Sequence, residues 1–262
     1  MKVFARMREL QDNFANILPY NQNIGLAING FHEMGKEVIY YKTGELNDVK
    51  QWCNKGDVVL DGINQVNYIL DKFDIHPPLM DYPEPLQKYL GRKVWKDTID
   101  SISNTPEKWG CFVKPLREKA FTGKVINSIT DLVGCGNATE NYEVYCSEVK
   151  DFVFEVRGLV YYNQLVSLQP YKGDWKYMNQ LDTKLIDNAF KDYLTWENKL
   201  NGCTLDFGVT KEGETLFIEA NYGMCFGPYM SNAIVYAKII SACMAQLTNT
   251  FDECYFGPLS IN

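Results

Sequence analysis

Histidine is almost absent from this chain: His32 and His76 are the only two in 262 residues, and they lie far apart. A zinc site or an imidazole-based triad therefore has little support. Paired C-x-x-C cysteines are missing too. The eight cysteines are scattered, and several sit in apolar runs. That pattern reads as reduced, mostly buried thiols in a cytoplasmic protein rather than a disulfide framework. No apolar run reaches the roughly 18 residues of a membrane span. The start, MKVFARMREL, lacks the apolar core of a secretion signal. Excess positive charge is also lacking. A net charge of −7 argues against a broad nucleic-acid-binding surface. Neither a Walker A motif nor a G-x-G-x-x-G after a strand occurs.

What is present is a globular composition with strong local periodicity. Lys2–Ala5, Val38–Tyr41 and Asp57–Leu60 read as strands. Helical patterns at Asn21–Met34, Glu45–Cys53 and Gly62–Phe73 alternate with them. This alternation predicts a small parallel α/β lobe. Four prolines between Pro77 and Pro85 then mark a lobe boundary. Pro85–Ile102 is predicted to be a helix with Arg92, Lys93 and Lys96 on a solvated face. Beyond Trp109 the pattern turns to β, with strands at Trp109–Lys114, Gly123–Ile126, Tyr142–Val149, Phe152–Tyr162 and Leu165–Leu168. Asp182 is placed to cap a helix through Leu200, and an apolar helix spans Ser231–Leu247. The fold class is α/β (α+β).

Three places carry residues with chemical potential. The hairpin of Cys203–Val209 and Thr215–Ala220 can bring Asp206 beside Glu219 and Asn221. Two carboxylates and an amide make a hard-oxygen set suited to magnesium, although an ordinary hairpin with acids on its wet face has the same pattern. Lys114 ends a strand before Pro115 and a loop holding Arg117, Lys119, Gly123 and Lys124. It suits a phosphate clamp, or equally a lysine snorkelling at a strand end. Glu148 precedes a Lys150-Asp151 break, and beyond it Glu155 and Arg157 share one strand face.

In this order the set resembles the ATP-grasp superfamily. A strand lysine before proline leads into a glycine-containing lid loop. Glu148 is followed seven residues on by Glu155, and Asp206 precedes a Glu-x-Asn, Glu219 to Asn221, by thirteen. The strings Pro83–Trp95, Phe112–Gly123, Ser147–Arg157 and Leu205–Gly227 look closest to the compact R2K clade, a bacterial and phage type. The resemblance implies a pre-ATP α/β lobe at 1–80 and an ATP-grasp domain at 81–262. Within that domain, a small lid subdomain at about 105–147 and a metal-binding subdomain at about 148–262 sandwich the nucleotide. By the same resemblance, Lys114 meets the α and β phosphates with Lys124 in the lid loop. Lys93 is the second nucleotide lysine, with Lys96 behind it. Glu148 and the backbone at Val149 meet adenine, and Glu155 the ribose. Asp206, Glu219 and Asn221 hold Mg2+, and Arg157 serves the γ phosphate or an acyl phosphate. The implied activity joins a small-molecule or peptide carboxylate to an amine at the expense of ATP. A non-catalytic ATP-binding assembly or regulatory protein, or a small-molecule kinase, would carry the same pattern. One position departs from the peptide ligases: the arginine they often place two residues before the metal aspartate is Thr204 here.

Overall fold

The computed structural model describes residues 1–8, 18–116, 120–135 and 140–259; Arg117 and Lys119 of the predicted lid loop lie outside the described residues. The N-terminal part is the parallel lobe its periodicity predicts. Strands β1 (Val3–Arg6), β2 (Val38–Tyr41) and β3 (Val58–Leu60) form a parallel sheet in the order β2-β1-β3. Helices α1 (Gln22–Glu33), α2 (Leu46–Trp52) and α3 (Ile63–Leu70) connect and cover them. Asn21 caps α1 by accepting from the Ile24 N–H at 2.9 Å, which satisfies one of the orphan donors of the first turn. The apolar stripe of that helix, Ile24, Ala27, Ile28 and Phe31, is buried.

The predicted helix over Pro85–Ile102 does not form. A short 3-10 turn, Glu84–Tyr89, is followed by Gly91 in a left-handed conformation (φ 55°) and then by strand β4, Val94–Thr98. Thr98 caps a separate short helix, α4 (Ile99–Asn104). The cause is tertiary. A Cβ on Gly91 would sit 2.5 Å from the Leu216 side chain, so the chain turns at a close contact where only glycine fits without strain. The β-branched and aromatic Val94-Trp95 pair then enters a sheet. With β5 (Cys111–Pro115), β6 (Lys124–Ile126) and β7 (Glu143–Glu148), strand β4 makes an antiparallel sheet in the order β4-β7-β5-β6.

The third sheet holds β8 (Phe152–Tyr161), β9 (Gln164–Gly173), β10 (Gly202–Thr210) and β11 (Thr215–Tyr222), ordered β11-β10-β8-β9 and antiparallel throughout. Strand β9 runs on through Tyr171 and Lys172, beyond the Leu165–Leu168 its sequence suggests. Helix α5 (Thr183–Leu194) begins at the predicted Asp182 cap but ends before Leu200. The last helix, α6 (Ala233–Thr248), is buried on most of its surface. It wedges between the first lobe and the large sheet. A Cβ at Gly30 of α1 would lie 2.0 Å from the Ala233 carbonyl oxygen, and one at Gly202 of β10 would lie 2.0 Å from the Ile239 carbonyl oxygen.

The consequence for function lies in the cores. Phe4 and Phe31 of the first lobe share one hydrophobic core with Leu205, Phe207, Phe217 and Ile240. The small sheet has its own, built on Ile99, Ile102, Val113, Ile126 and Val144. The first lobe and the large sheet are therefore one packed body, with the small sheet set against it. No disulfide forms among the described residues, and seven of the eight cysteines are buried. No helix among the described residues is long and apolar enough to cross a membrane.

Candidate active site

Register across the large sheet decides which side chains meet. Asp206 of β10 lies opposite Arg157 of β8 on one side and opposite Glu219 of β11 on the other. Opposed residues share a face, so one guanidinium and two carboxylates form a row. The Arg157 Nε donates to Asp206 Oδ1 at 2.8 Å and its Nη2 to Asp206 Oδ2 at 2.6 Å. A third donor, Nη1, reaches the Gly227 carbonyl at 3.2 Å. Tyr171 and Tyr229 stack with ring centroids 4.9 Å apart, and the guanidinium lies 5.5 and 5.0 Å from the two rings. Asn221 closes the row, its Nδ2 donating to Asp206 Oδ2 and to Glu219 Oε1, both at 3.3 Å.

The electrostatics follow from burial and these partners. Burial pushes the Asp206 carboxyl up to about 6, against the opposing pull of Arg157. Burial also acts to raise Glu219, but the charge and hydrogen bond of Lys114 outweigh it and hold that carboxyl below its usual range. Glu155 is buried on the same face. It accepts from the Tyr171 hydroxyl and from Lys172 Nζ, each at 2.6 Å.

Lys114 arrives from the small sheet. On β5 it lies opposite Tyr145 of β7, which in turn lies opposite Lys96 of β4, so Lys96, Tyr145 and Lys114 share a face. The Lys114 ammonium donates to Asp81 and, at 2.6 Å, to Glu219 Oε2. It also sits 4.6 Å from the centroid of Tyr82. Burial alone would lower its pKa, yet Glu219 and Asp81 raise it well above the ordinary lysine value, so the side chain is a fixed cation. Gly123 packs on this strand: a Cβ there would meet the Phe112 ring at 2.5 Å. A cleft of about 610 Å³ opens beside these groups, lined by Asp81, Lys114, Gly123, Glu219 and Asn221 and, from the first lobe, Asn21 and Asp61.

Lys114, Arg157, Asp206, Glu219 and Asn221 thus converge from two sheets, with Glu155 on the same face. Other sequence candidates lie apart. Lys93 reaches over Trp95 at 5.6 Å, and Trp95 packs on the small core, so Lys93 is on the opposite face from Lys96. Lys124 lies opposite the core residue Val113 and donates to the Val133 carbonyl at 2.9 Å, away from Lys114. Glu148 is exposed at the junction of the small and large sheets. It accepts from the Lys93 N–H at 2.9 Å, and Val149 follows it in the open. Thr204 is fully buried opposite Asn221, and its hydroxyl has no hydrogen-bond partner among the described residues.

Asp81, Tyr82, Tyr171 and Tyr229 join the candidate site from outside the motif positions. Asp81 and Tyr82 fall inside the proline-rich connector, which reads as a boundary. The tyrosines enter through a strand end and a loop. Arg92, read as a solvated helix cation, instead donates to the Phe217 and Ile218 carbonyls at 2.9 and 2.8 Å and pins the turn at Gly91 to β11. No group of three or more His, Cys, Asp or Glu able to hold a metal occurs among the described residues. The oxygen cluster has two acids and an amide.

Comparison with known proteins agrees with this fold. The family model for the ATP-grasp domain, R2K clade family 2, matches residues 89–239. No curated protein matches the chain. Among solved structures, D-alanine–D-alanine ligase from Bacillus anthracis, complexed with ATP, is similar with a TM-score of 0.53 at 14% identity, over 95% of this chain and 98% of that one. N5-carboxyaminoimidazole synthetase from Staphylococcus aureus gives 0.51 at 14% identity, over 97% of this chain and 78% of that one. An L-amino acid ligase from Bacillus licheniformis gives 0.51 at 10% identity, over 94% and 75% respectively. At these identities the likeness is one of fold.

Proposed function

Because the chain belongs to family 2 of the R2K clade of ATP-grasp domains, we propose that it is an ATP- and magnesium-dependent ligase joining a carboxylate to an amine through an acyl phosphate. The observation that carries this reading is the meeting of Lys114, on one sheet, with Glu219 and the Asp206–Arg157 pair on another, beside an open cleft. A carboxylate is a poor electrophile until phosphorylated. Lys114 is a fixed cation on that cleft with the Arg157 guanidinium behind it, and cations so held stabilise a transferring phosphoryl group.

The roles follow from the faces. Lys114 serves the α and β phosphates. Lys96, sharing its face, is better placed than Lys93 as the second nucleotide lysine. Glu148 and the Val149 backbone, exposed where the two sheets join, take adenine, and Glu155 takes the ribose. The donor chemistry of Asp206, Glu219 and Asn221 fits magnesium, all three being hard-oxygen ligands once the Asn221 amide turns its Oδ1 inward. Bound there, magnesium would neutralise charge on the β and γ phosphates. Arg157 orients Asp206 and supplies charge to the γ phosphate. The separately cored small sheet acts as the lid that excludes water.

Calorimetry with the non-hydrolysable analogue AMP-PNP tests this reading. Binding is expected with magnesium at pH 7.5, and at least about tenfold weaker with chelator present. Only the ionised carboxylate ligates a metal, and Asp206 is raised to about 6. Magnesium-dependent affinity should therefore be full above pH 7 and fall as the pH drops through 6. Equal affinity with and without magnesium would refute the assignment.

A further inference from the structure

Asp81 has no role in the nucleotide and metal contacts proposed above, on which the following rests, yet it holds the lysine those contacts depend on. It is placed by backbone as well as by charge. The Asp81 carbonyl accepts from the Ala220 N–H at 3.0 Å, and the Pro78 carbonyl accepts from the Tyr222 hydroxyl at 2.6 Å, so the connector lies along the edge of β11. On its other side the neighbouring Tyr82 packs edge-on against Tyr145 of the small sheet, centroids 4.9 Å apart at 88°. The Lys114 ammonium thus ties three parts together: the small sheet that bears it, the connector through Asp81, and the large sheet through Glu219.

This arrangement is poor for receiving a polyphosphate. Two acids share one ammonium, and both are more than two-thirds shielded from solvent. Phosphate oxygens would meet repulsion unless at least one acid gives up the lysine. Glu219 has a replacement cation in the proposed metal, whereas Asp81, beside it on the connector, is not among the proposed metal ligands. Asp81 and a nucleotide therefore compete for the same ammonium.

We infer that Asp81 is a positioning residue that latches Lys114 and yields it to the phosphates of ATP, so that nucleotide arrival breaks the charged link between the small sheet and the connector. The latch lowers nucleotide affinity and couples occupancy of the site to the position of the lid.

The test is a double-mutant cycle of magnesium–AMP-PNP affinity, with titrations carried to high ligand so that weak binding stays readable. Asp81→Asn should tighten binding about tenfold, within the range of pairwise coupling between contacting residues. In a Lys114→Met background the same change should have no effect, because there is no ammonium left to release. Asp81→Ser, which keeps the backbone bond to Ala220, serves if the asparagine variant folds poorly. Weaker or unchanged binding by Asp81→Asn overturns the latch, the first being what a metal ligand or a purely structural acid would give. Tightening that persists without Lys114 also overturns it, since that is the signature of general charge removal. These outcomes leave the ligase reading standing. Failure of the wild-type protein to bind magnesium–AMP-PNP would sink that reading, and the latch with it.

Discussion

Asp206→Ala is expected to lower the unfolding free energy by about 3–5 kcal/mol and to abolish magnesium-dependent nucleotide turnover. The first effect comes from the partner left behind. Arg157 and Asp206 are 9% and 1% exposed at their side chains and are joined by two short parallel hydrogen bonds. Without the carboxylate, the guanidinium keeps the Gly227 carbonyl and two tyrosine rings, none of which carries a compensating negative charge. Removing one member of a buried pair costs far more than the pair itself contributes. The second effect comes from losing an acid of the oxygen cluster. Asp206→Asn separates the two: it preserves shape and one acceptor, so it should recover much of the stability but not the turnover. Urea unfolding and ADP release on the same samples provide the check. An alanine variant within about 1 kcal/mol of wild type would mean that the ion pair carries no structural weight.

Lys114→Met should reduce kcat/KM for ATP by about 10²–10³-fold, the usual penalty for deleting one preorganised donor to developing charge. Methionine fills most of the volume of the lysine stem, so the loss reports the ammonium rather than a cavity. The effect should be large because two acids hold Lys114 charged in a site shielded from water. Glu219 would remain, so metal binding alone would not restore the rate. Steady-state kinetics at varied ATP is the measurement. Turnover within about threefold of wild type would remove Lys114 from the chemistry.

Both expectations rest on pairings that the linear sequence shows only in part. The hairpin was legible because strand alternation puts Glu219 and Asn221 on one face and a glycine turn closes it. The parallel lobe was legible because each of its elements is short and strongly periodic. That Arg157 is Asp206's partner was not, since it depends on the register of β8 against β10. Read singly, Asp206 is a candidate metal ligand with nothing to mark it as structural; the ion pair adds that role. The segment from 85 to 102 failed for a different reason. Leu86, Leu90 and Val94 fall at helical spacing by coincidence, whereas the turn at Gly91 is dictated by Leu216, a residue far along the chain. The same turn sets residues 93 and 96 on opposite faces of a strand, which is the ground for proposing Lys96 beside Lys114. Asp81 was invisible for the same reason: a proline-rich connector looks like a spacer until its backbone is seen against β11.

Product identity decides whether this protein makes an acyl phosphate. Carboxylates and amines that raise its melting temperature with magnesium–ATP should be assayed for the nucleotide released, in wild type and in Glu219→Ala. Carboxylate-dependent formation of ADP and phosphate, absent in the Glu219→Ala protein, is the expected result. Release of AMP and pyrophosphate, or undiminished turnover in Glu219→Ala, would contradict both the mechanism and the site.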